Sequence, residues 1–339
     1  QMYYKLQAGE TRPVVSSYKN KHVLASYFGR AQYSFKDKYL FTFTARIDGS
    51  DRFGKNNRYA FFPSGAFAWR MNQEDFLKDV NWLSDAKLRV SMGQVGNENL
   101  PNDAASEYFA FDGRNYYLGD TEKRGVNLGK FGNPDLKWEE KHELNIGLDF
   151  ALFKNRLSGS VDYYRRETRD LLYTYNVPVP PNLASTTLAN VGTVENSGIE
   201  AVLSGLVVNN RDWKLNLTAN FSYNTNKLKK LSNEKYQRDF LELGSTGAPV
   251  QKSTHLVKEG GAIGNFYGWK SVGMTESGEW IIEGGEYGDN SSRTVLGNGI
   301  PTMRAGFTAV LSYKNFDLTV SLRGAFDYQI LNQYRMLYE

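Results

Sequence analysis

The chain has 339 residues, with 41 Lys and Arg against 37 Asp and Glu, a formal net charge of +4, and no Cys. The lack of Cys excludes a disulfide framework and thiolate chemistry, and a small charge surplus without a basic face does not indicate nucleic-acid binding. The absence of any run of 18 apolar residues excludes a helical membrane protein, but a membrane β-barrel needs no such run because half of each strand faces water.

The first third of the chain alternates between apolar and polar residues, which is typical of strands. Residues 1–21 are polar and irregular and are predicted to form a loop. Strands are predicted at 22–35, 39–48 and 59–71. The second strand shows the pattern most clearly, because its apolar side chains all fall on one side: Tyr39, Phe41, Phe43, Ala45 and Ile47.

The spacing of the apolar residues changes between Asn72 and Leu83. Asn72 is a suitable N-cap, Glu74 and Asp75 would occupy the first turn, and apolar residues recur at helical spacing up to Leu83. This segment is therefore predicted to be a short helix between two strands.

The middle of the chain contains further strands separated by connections of very different length. A fourth strand is predicted at 86–95, and a loop rich in aromatic residues and Asn follows at 96–137. Two more pairs of strands follow, each joined by a short turn. These strands are predicted at 138–152 and 156–173, then at 195–208 and 212–226, with a Pro-containing loop at 174–194 between the pairs.

The clearest hairpin lies between Met303 and Tyr328. Two alternating runs of at least ten residues flank the polar turn at Lys314 and Asn315. Strands of soluble proteins usually stop near 5–6 residues, whereas a strand that crosses a bilayer needs about 9–11. The hairpin is therefore predicted to be one unit of a transmembrane barrel.

The connections alternate between a few residues and one or two dozen, as in barrels with short periplasmic turns and long external loops. The strand that ends at 226 runs outward and the strand that begins at 303 runs inward, so an even number of spanning strands, most simply none, lies between them. The segment 227–300 is therefore predicted to lie outside as one loop, with possible short strands at 265–274 and 279–283. The predicted fold class is all-β, an antiparallel transmembrane β-barrel with about ten spanning strands. Aromatic residues at strand ends fit an interfacial girdle: Tyr39, Trp138, Trp213, Tyr223, Tyr313, Phe316 and Tyr328. A soluble β-sandwich or β-solenoid with long strands is the alternative.

Long motifs across most of the chain resemble the SusC family of TonB-dependent outer-membrane transporters of Bacteroidetes (RagA/SusC-like proteins). They lie in Arg58–Leu100, Asn133–Leu172, Asn190–Glu200 (NVGTVENSGIE), Gly264–Gly273 (GNFYGWKSVG) and Gly297–Tyr334. The resemblance implies a larger, 22-stranded barrel with an N-terminal plug in the outer membrane of a Gram-negative bacterium. It also implies import of oligosaccharides or peptides, a SusD-like lipoprotein lid, energy supplied through TonB, and contact with outer-membrane lipid.

Against that family pattern, residues 1–339 are expected to be a partial barrel without the plug domain and the last strands. The segments 96–137, 174–194 and 227–300 are expected to be long extracellular loops. The alternative function is a soluble or surface-attached all-β glycan-binding module.

No enzymatic activity is expected, because the chain contains none of the common hydrolase or phosphate-loop patterns. His142, with Glu140 and Glu143, is interpreted as a polar cluster at a strand end. No cofactor is expected either. Oxygen ligands could hold Ca²⁺ in one external acidic run, but its spacing matches no known calcium loop and a solvated surface is favoured: Glu279, Glu283, Glu286 and Asp289.

Aromatic residues in the external loops are the candidates for contact with a substrate or with the lid. Their rings can stack on sugars or apolar side chains, and their polar neighbours can form hydrogen bonds. The alternative, which we favour, is that they pack the loops internally. The candidates are Tyr108, Phe109, Phe111, Asp112, Arg114, Asn115, Tyr116, Tyr117, Tyr267 and Trp269.

Overall fold

A computed structural model describes residues 19, 21–102, 104–130, 132–179, 185–233, 237–248 and 250–338. Within these ranges, the side chains of 110–116, 122, 124, 126–130 and 337 are outside the description.

The described residues form eighteen strands and one short α-helix. In chain order the strands are β1 (Leu24–Phe35), β2 (Tyr39–Ser50), β3 (Tyr59–Arg70), β4 (Leu83–Asn97), β5 (Tyr108–Leu118), β6 (Thr121–Lys130), β7 (Glu139–Leu152), β8 (Leu157–Asn176), β9 (Thr186–Asn209), β10 (Trp213–Lys230), β11 (Phe240–Leu243), β12 (His255–Lys258), β13 (Asn265–Trp269), β14 (Ser271–Met274), β15 (Trp280–Ile282), β16 (Arg293–Asn298), β17 (Met303–Tyr313) and β18 (Phe316–Phe326); the helix is α1 (Gln333–Tyr338).

Ten of these strands form a single antiparallel sheet in the described part of the chain, in the order β1-β2-β3-β4-β7-β8-β9-β10-β17-β18. β10 pairs directly with β17, from Trp213 opposite Tyr313 to Tyr223 opposite Met303. This pairing confirms the prediction that no spanning strand lies between them. β1 and β18 form the two edges of the sheet.

The strand register brings the alternating residues onto two continuous faces. One row of the apolar face crosses nine strands and consists of Tyr33, Phe41, Phe67, Val90, Ile146, Tyr163, Ile199, Tyr223 and Met303. The neighbouring row on the other face includes Ser91, Asn145, Tyr164 and Asn224. A sheet that is apolar on one side and polar on the other along its whole width is what a barrel between lipid and an aqueous lumen requires.

The predicted helix at 72–83 is wrong. The chain forms a 3-10 turn at Met71–Gln73 and then a series of turns, with backbone bonds such as Leu77 N–H to the Glu74 carbonyl at 3.0 Å. The reason is the Glu74 side chain, which is bound by residues at the ends of β2 and β3 instead of projecting into solvent from a helix. These tertiary contacts override the local periodicity.

Two predicted loops contain more strand than expected. The segment 96–137 includes the hairpin of β5 and β6, which pair with each other. In 174–194, β8 continues to Asn176 and β9 begins at Thr186, with Tyr175 paired to Thr187. The buried ring of Tyr175, whose hydroxyl donates to the Leu231 carbonyl at 2.9 Å, explains why these strands extend beyond the predicted limits.

The segment between β10 and β17 has its own small sheets. β11, β12, β13 and β16 form a four-stranded sheet, and β14 pairs with β15. The strands predicted at 265–274 and 279–283 are confirmed as β13, β14 and β15. None of the helices in the described ranges is long and apolar enough to cross a membrane.

Candidate functional site

The polar face of the main sheet carries an ion-pair network centred on Arg89. Its guanidinium donates to Asp149 at 2.7 and 2.8 Å and to Asp162 at 3.0 Å, and Lys87 also reaches Asp149 at 2.9 Å. Gly147 on β7 lies between Arg89 on β4 and Asp162 on β8. A Cβ at position 147 would be 2.6 Å from Nη2 of Arg89. The absence of a side chain at Gly147 therefore gives the Arg89 side chain space to reach from β4 across β7 to β8.

A second polar row lies next to this network. Arg166 pairs with Glu143 at 3.1 Å and covers the ring of Tyr164, whose hydroxyl is hydrogen-bonded to Asn224. On β17 and β18, Arg304 and Arg323 continue the polar face; neither has an ion-pair partner within the described ranges. A wall of paired and unpaired charges suits the passage of a hydrophilic solute.

At the opposite end of the strands from the short turns, loop residues and one residue of β3, Phe62, form an apolar cluster over the polar face. The indole of Trp138 lies 4.6 Å from the ring of Phe53 and donates to the Arg58 carbonyl at 3.0 Å. The remaining members of the cluster are Phe62, Leu100, Ala104 and Leu136. Trp138 is only 4% exposed, so its assignment to an interfacial girdle is wrong. The alternation in β7 could not reveal this, because Trp138 precedes the strand and packs against distant loops.

The predicted contact residues in 107–117 lie on β5 and at its end. Phe109 is 63% exposed and Tyr117 is 72% exposed, and Tyr108 is also exposed. Within the described residues, β5 pairs with β6 and with no strand of the large sheet. The side chains of Phe111, Asp112, Arg114, Asn115 and Tyr116 lie outside the described part of the chain. A role for this hairpin in contact stays a prediction.

Tyr267 and Trp269 pack around a buried cation. The guanidinium carbon of Arg293 lies 4.0 Å from the centre of the Tyr267 ring and 5.5 Å from that of Trp269. Arg293 also pairs with Glu242 at 3.0 Å and donates to the carbonyl of Ser253 at 2.5 Å. This arrangement is the internal packing favoured as the alternative, and contact of either aromatic residue with a ligand stays a prediction. Sequence reasoning missed Arg293, because only the pairing of β13 with β16 brings it beside both rings.

The acidic residues of the same external segment are dispersed. Glu283 pairs with Lys270 at 2.8 Å, and Asp289 accepts hydrogen bonds from the hydroxyl and backbone N–H of Ser291. Those two bonds lower the pKa of the Asp289 carboxyl. In the residues that the structure describes, no three His, Asp or Glu side chains come together as a metal site.

His142 and Glu143 lie on opposite faces of β7. His142 is 3.3 Å from Glu140, whereas Glu143 pairs with Arg166 on the polar face. The three residues therefore do not form one cluster.

Comparison with known proteins agrees with this architecture. The family model described as TonB dependent receptor-like, beta-barrel matches residues 3–333. The chain is 37% identical to TonB-dependent receptor P3 of Formosa agariphila over 97% of its own length and 34% of the relative. It is 35% identical to TonB-dependent receptor SusC of Bacteroides thetaiotaomicron, over 91% of its length and 32% of the relative.

Solved structures give the same result. A structure of the RagAB peptide transporter matches with a TM-score of 0.77 and 27% identity, over 95% of this chain and 36% of that one. The RagAB peptide importer in an open-open state matches with a TM-score of 0.79 and 28% identity, over 91% and 33% of the two chains. The chain thus spans about a third of the length of these relatives. It belongs to the TonB-dependent receptor family, of whose transmembrane β-barrel it forms a section.

Proposed function

We propose that this chain is part of an outer-membrane transporter that imports oligosaccharides or peptides, with energy supplied through TonB. The observation that carries the proposal is the two-faced sheet of ten strands among the described residues, whose polar side is lined by networks such as Arg89, Asp149 and Asp162. A soluble glycan-binding module would not expose a continuous apolar face of this width to water.

The orientation follows from the connections. The short turns at 36–38, 153–156 and 314–315 all lie at one end of the sheet, which we assign to the periplasm. The β5–β6 hairpin and the small sheets of 240–298 then face the outside, where substrate arrives. We further propose a SusD-like lipoprotein as the partner on this side, a proposal supported by the similarity to SusC and to the RagAB peptide transporter.

Two similar proteins bear on the proposed substrate class. SusC is a relative by sequence, and RagAB, described as a peptide importer, is a structural neighbour. The exposed rings of Phe109 and Tyr117 would suit stacking on sugars or on apolar peptide side chains.

Uptake in the native host tests the proposal. We expect deletion of the gene to abolish import of one class in a panel of labelled oligosaccharides and peptides, and the full-length gene to restore it. Inactivation of TonB should abolish the same import. Unchanged uptake of the whole panel in the deletion strain, or uptake that does not depend on TonB, would contradict the proposal.

A further inference from the structure

The apolar face of β1, β2, β3, β4 and β7 carries a groove of about 1020 Å³ that ends on charged residues of β8. Small residues form much of its floor, since a Cβ added at Gly65 would have no neighbour within 4 Å. Its apolar walls are Tyr33, Phe41, Phe43, Pro63, Phe67, Val90, Met92 and Leu144. Most of this surface would face lipid, but a groove that ends on guanidinium groups differs from a plain lipid-facing wall.

The strand register aligns the groove with the charged end. Gly65 lies opposite Met92, Met92 opposite Leu144, and Leu144 opposite Arg165. With about 4.8 Å between strands, Gly65 and Arg165 are roughly 14 Å apart along this row. The row runs across the strands, so at a strand tilt of about 40° it covers roughly 9 Å along the membrane normal.

The position of Arg165 places the charged end near the outer border of the membrane, given the proposed orientation. Arg165 is eight residues beyond Leu157, the first residue after a periplasmic turn. Eight residues span about 26 Å along a strand, or roughly 20 Å across the membrane at a tilt of about 40°. The apolar band of such barrels is about 25 Å tall.

Guanidinium, ammonium and carboxylate groups meet at this end of the groove, where Arg165, Arg169, Glu143 and Glu167 belong to its lining. Arg165 pairs with Glu195 at 2.7 Å, Arg169 pairs with Glu167 at 2.5 Å, and Lys229 bridges both carboxylates at 2.9 and 3.2 Å. Lys227, opposite Glu195 in the register, adds a cation, and Glu140, beside His142, adds a carboxylate. The Arg165 and Arg169 side chains remain 50% and 53% exposed, so N–H groups of both guanidinium groups are available to a further acceptor.

We propose that this groove binds one phosphorylated lipid of the outer leaflet, with an acyl chain along Gly65 and Met92 and a phosphate on Arg165 and Arg169. The apolar walls exclude a free inorganic anion as the main ligand, because they would contribute nothing to its binding. The guanidinium forks match phosphate oxygens in geometry and charge. The proposal rests on the orientation given under Proposed function.

Native mass spectrometry of the full-length protein in detergent tests this site. The probes are a synthetic acylated disaccharide lipid with its phosphates and the same lipid without them. We expect one phosphorylated lipid to be retained, and Arg165→Gln with Arg169→Gln to weaken its binding by about tenfold or more. Gly65→Leu, which fills open space in the groove, should weaken binding independently. Lys78→Gln, at the other end of the strands and exposed, is the matched control and should bind as the unmodified protein does.

Equal retention of the two lipids, or unchanged binding by both the double variant and Gly65→Leu, would overturn the proposal. Displacement of the lipid by inorganic phosphate at millimolar concentration would do the same, because it would indicate a site without a role for the acyl chain. The readout is separate from transport. Specific lipid retention by a protein that imports nothing would contradict the proposed function and leave this site standing.

Discussion

The hydroxyl of Tyr39 donates a 2.7 Å hydrogen bond to Oε1 of Glu74, across the turn that joins β3 to β4. The Trp69 indole donates to the same oxygen at 3.0 Å, and Lys38 reaches the other oxygen at 3.0 Å. One carboxylate thus joins the ends of β2 and β3 to the turn that follows them. The segment predicted as a helix is in fact a brace at the end of the barrel wall.

This brace predicts a dependence of stability on pH. The bonds from Tyr39, then Lys38 and Trp69, lower the pKa of Glu74 from 4.5 to about 2. A carboxyl whose pKa is lowered on folding stabilises the folded state above its ordinary pKa, and this contribution is lost as the pH falls towards the lowered value. We expect the full-length protein in detergent to lose heat stability between about pH 4.5 and 2.

The matched variants are Glu74→Gln and Asp79→Asn, which lie in the same turn. Glu74→Gln should lower the heat stability at pH 7 and flatten its dependence on pH, measured by the mobility shift of heated samples on gels. Asp79→Asn, which alters an exposed side chain, should change neither. An unaltered pH profile for Glu74→Gln would contradict the assigned role.

The second prediction concerns Arg293. Its side chain is 3% exposed and also donates to the backbone carbonyls of Ser253 and Tyr267. Arg293→Gln would therefore leave Glu242 and these two carbonyls with a poorer partner. We expect a loss of about 1–3 kcal/mol in the stability of the β11–β16 sheet, seen as faster proteolysis within 237–298 with the barrel still assembled. Lys270→Gln, which removes a half-exposed pair with Glu283, should cost under about 1 kcal/mol. Equal protease sensitivity of the two variants would refute the role of Arg293.

The third prediction concerns the close approach of two external loops at Gly54. A Cβ on Gly54 would lie 1.8 Å from the carbonyl oxygen of Pro134, so Gly54→Ala must displace backbone. We expect a loss of about 1–3 kcal/mol in stability. Protease should also gain access to 98–105, because Leu100 and Ala104 belong to the apolar cluster around Trp138. Gly29→Ala, with no atom within 4 Å of the added Cβ, should behave as the unmodified protein does. Protection of 98–105 in Gly54→Ala would show that the loops are not packed as described.

The fourth prediction concerns the β5–β6 hairpin. Removal of 107–117 from the full-length transporter should leave the barrel assembled, because β4 pairs directly with β7. Substrate capture or docking of the partner should weaken, as measured by growth on the transported nutrient. A Cys placed at Asn115 should react with a reagent that does not cross the outer membrane. Reaction only after permeabilisation would invert the proposed orientation, and unaltered growth after the deletion would remove this hairpin from the binding site.

The sequence predicted the spanning strands well because lipid imposes a strict period of two on them. β2, for example, begins at Tyr39 as predicted and runs two residues beyond the predicted end. Prediction from the sequence failed where contacts between distant segments decide the structure. Nothing local to Glu74 indicates that Tyr39 and Trp69 will bind it, and nothing local to Trp138 indicates that Phe53 will cover it. The apolar residues of the external segments follow neither the two-residue period of a strand nor the 3.6-residue period of a helix. The contact of Arg293 with Tyr267 and Trp269 could therefore be identified only from the strand register.

Two adjacent residues at the centre of β18 test the central claim, that this sheet separates lipid from an aqueous lumen. Val320 lies on the apolar face opposite Ala309, and Thr319 lies on the polar face opposite Val310. Val320→Arg should cost roughly 2–4 kcal/mol, because the cation would face the middle of the bilayer, whereas Thr319→Arg should cost far less. The decisive measurement is the free energy of folding of the two full-length variants into lipid vesicles. Sharply reduced stability for Val320→Arg alone is the predicted result, and equal losses in the two variants would contradict the barrel.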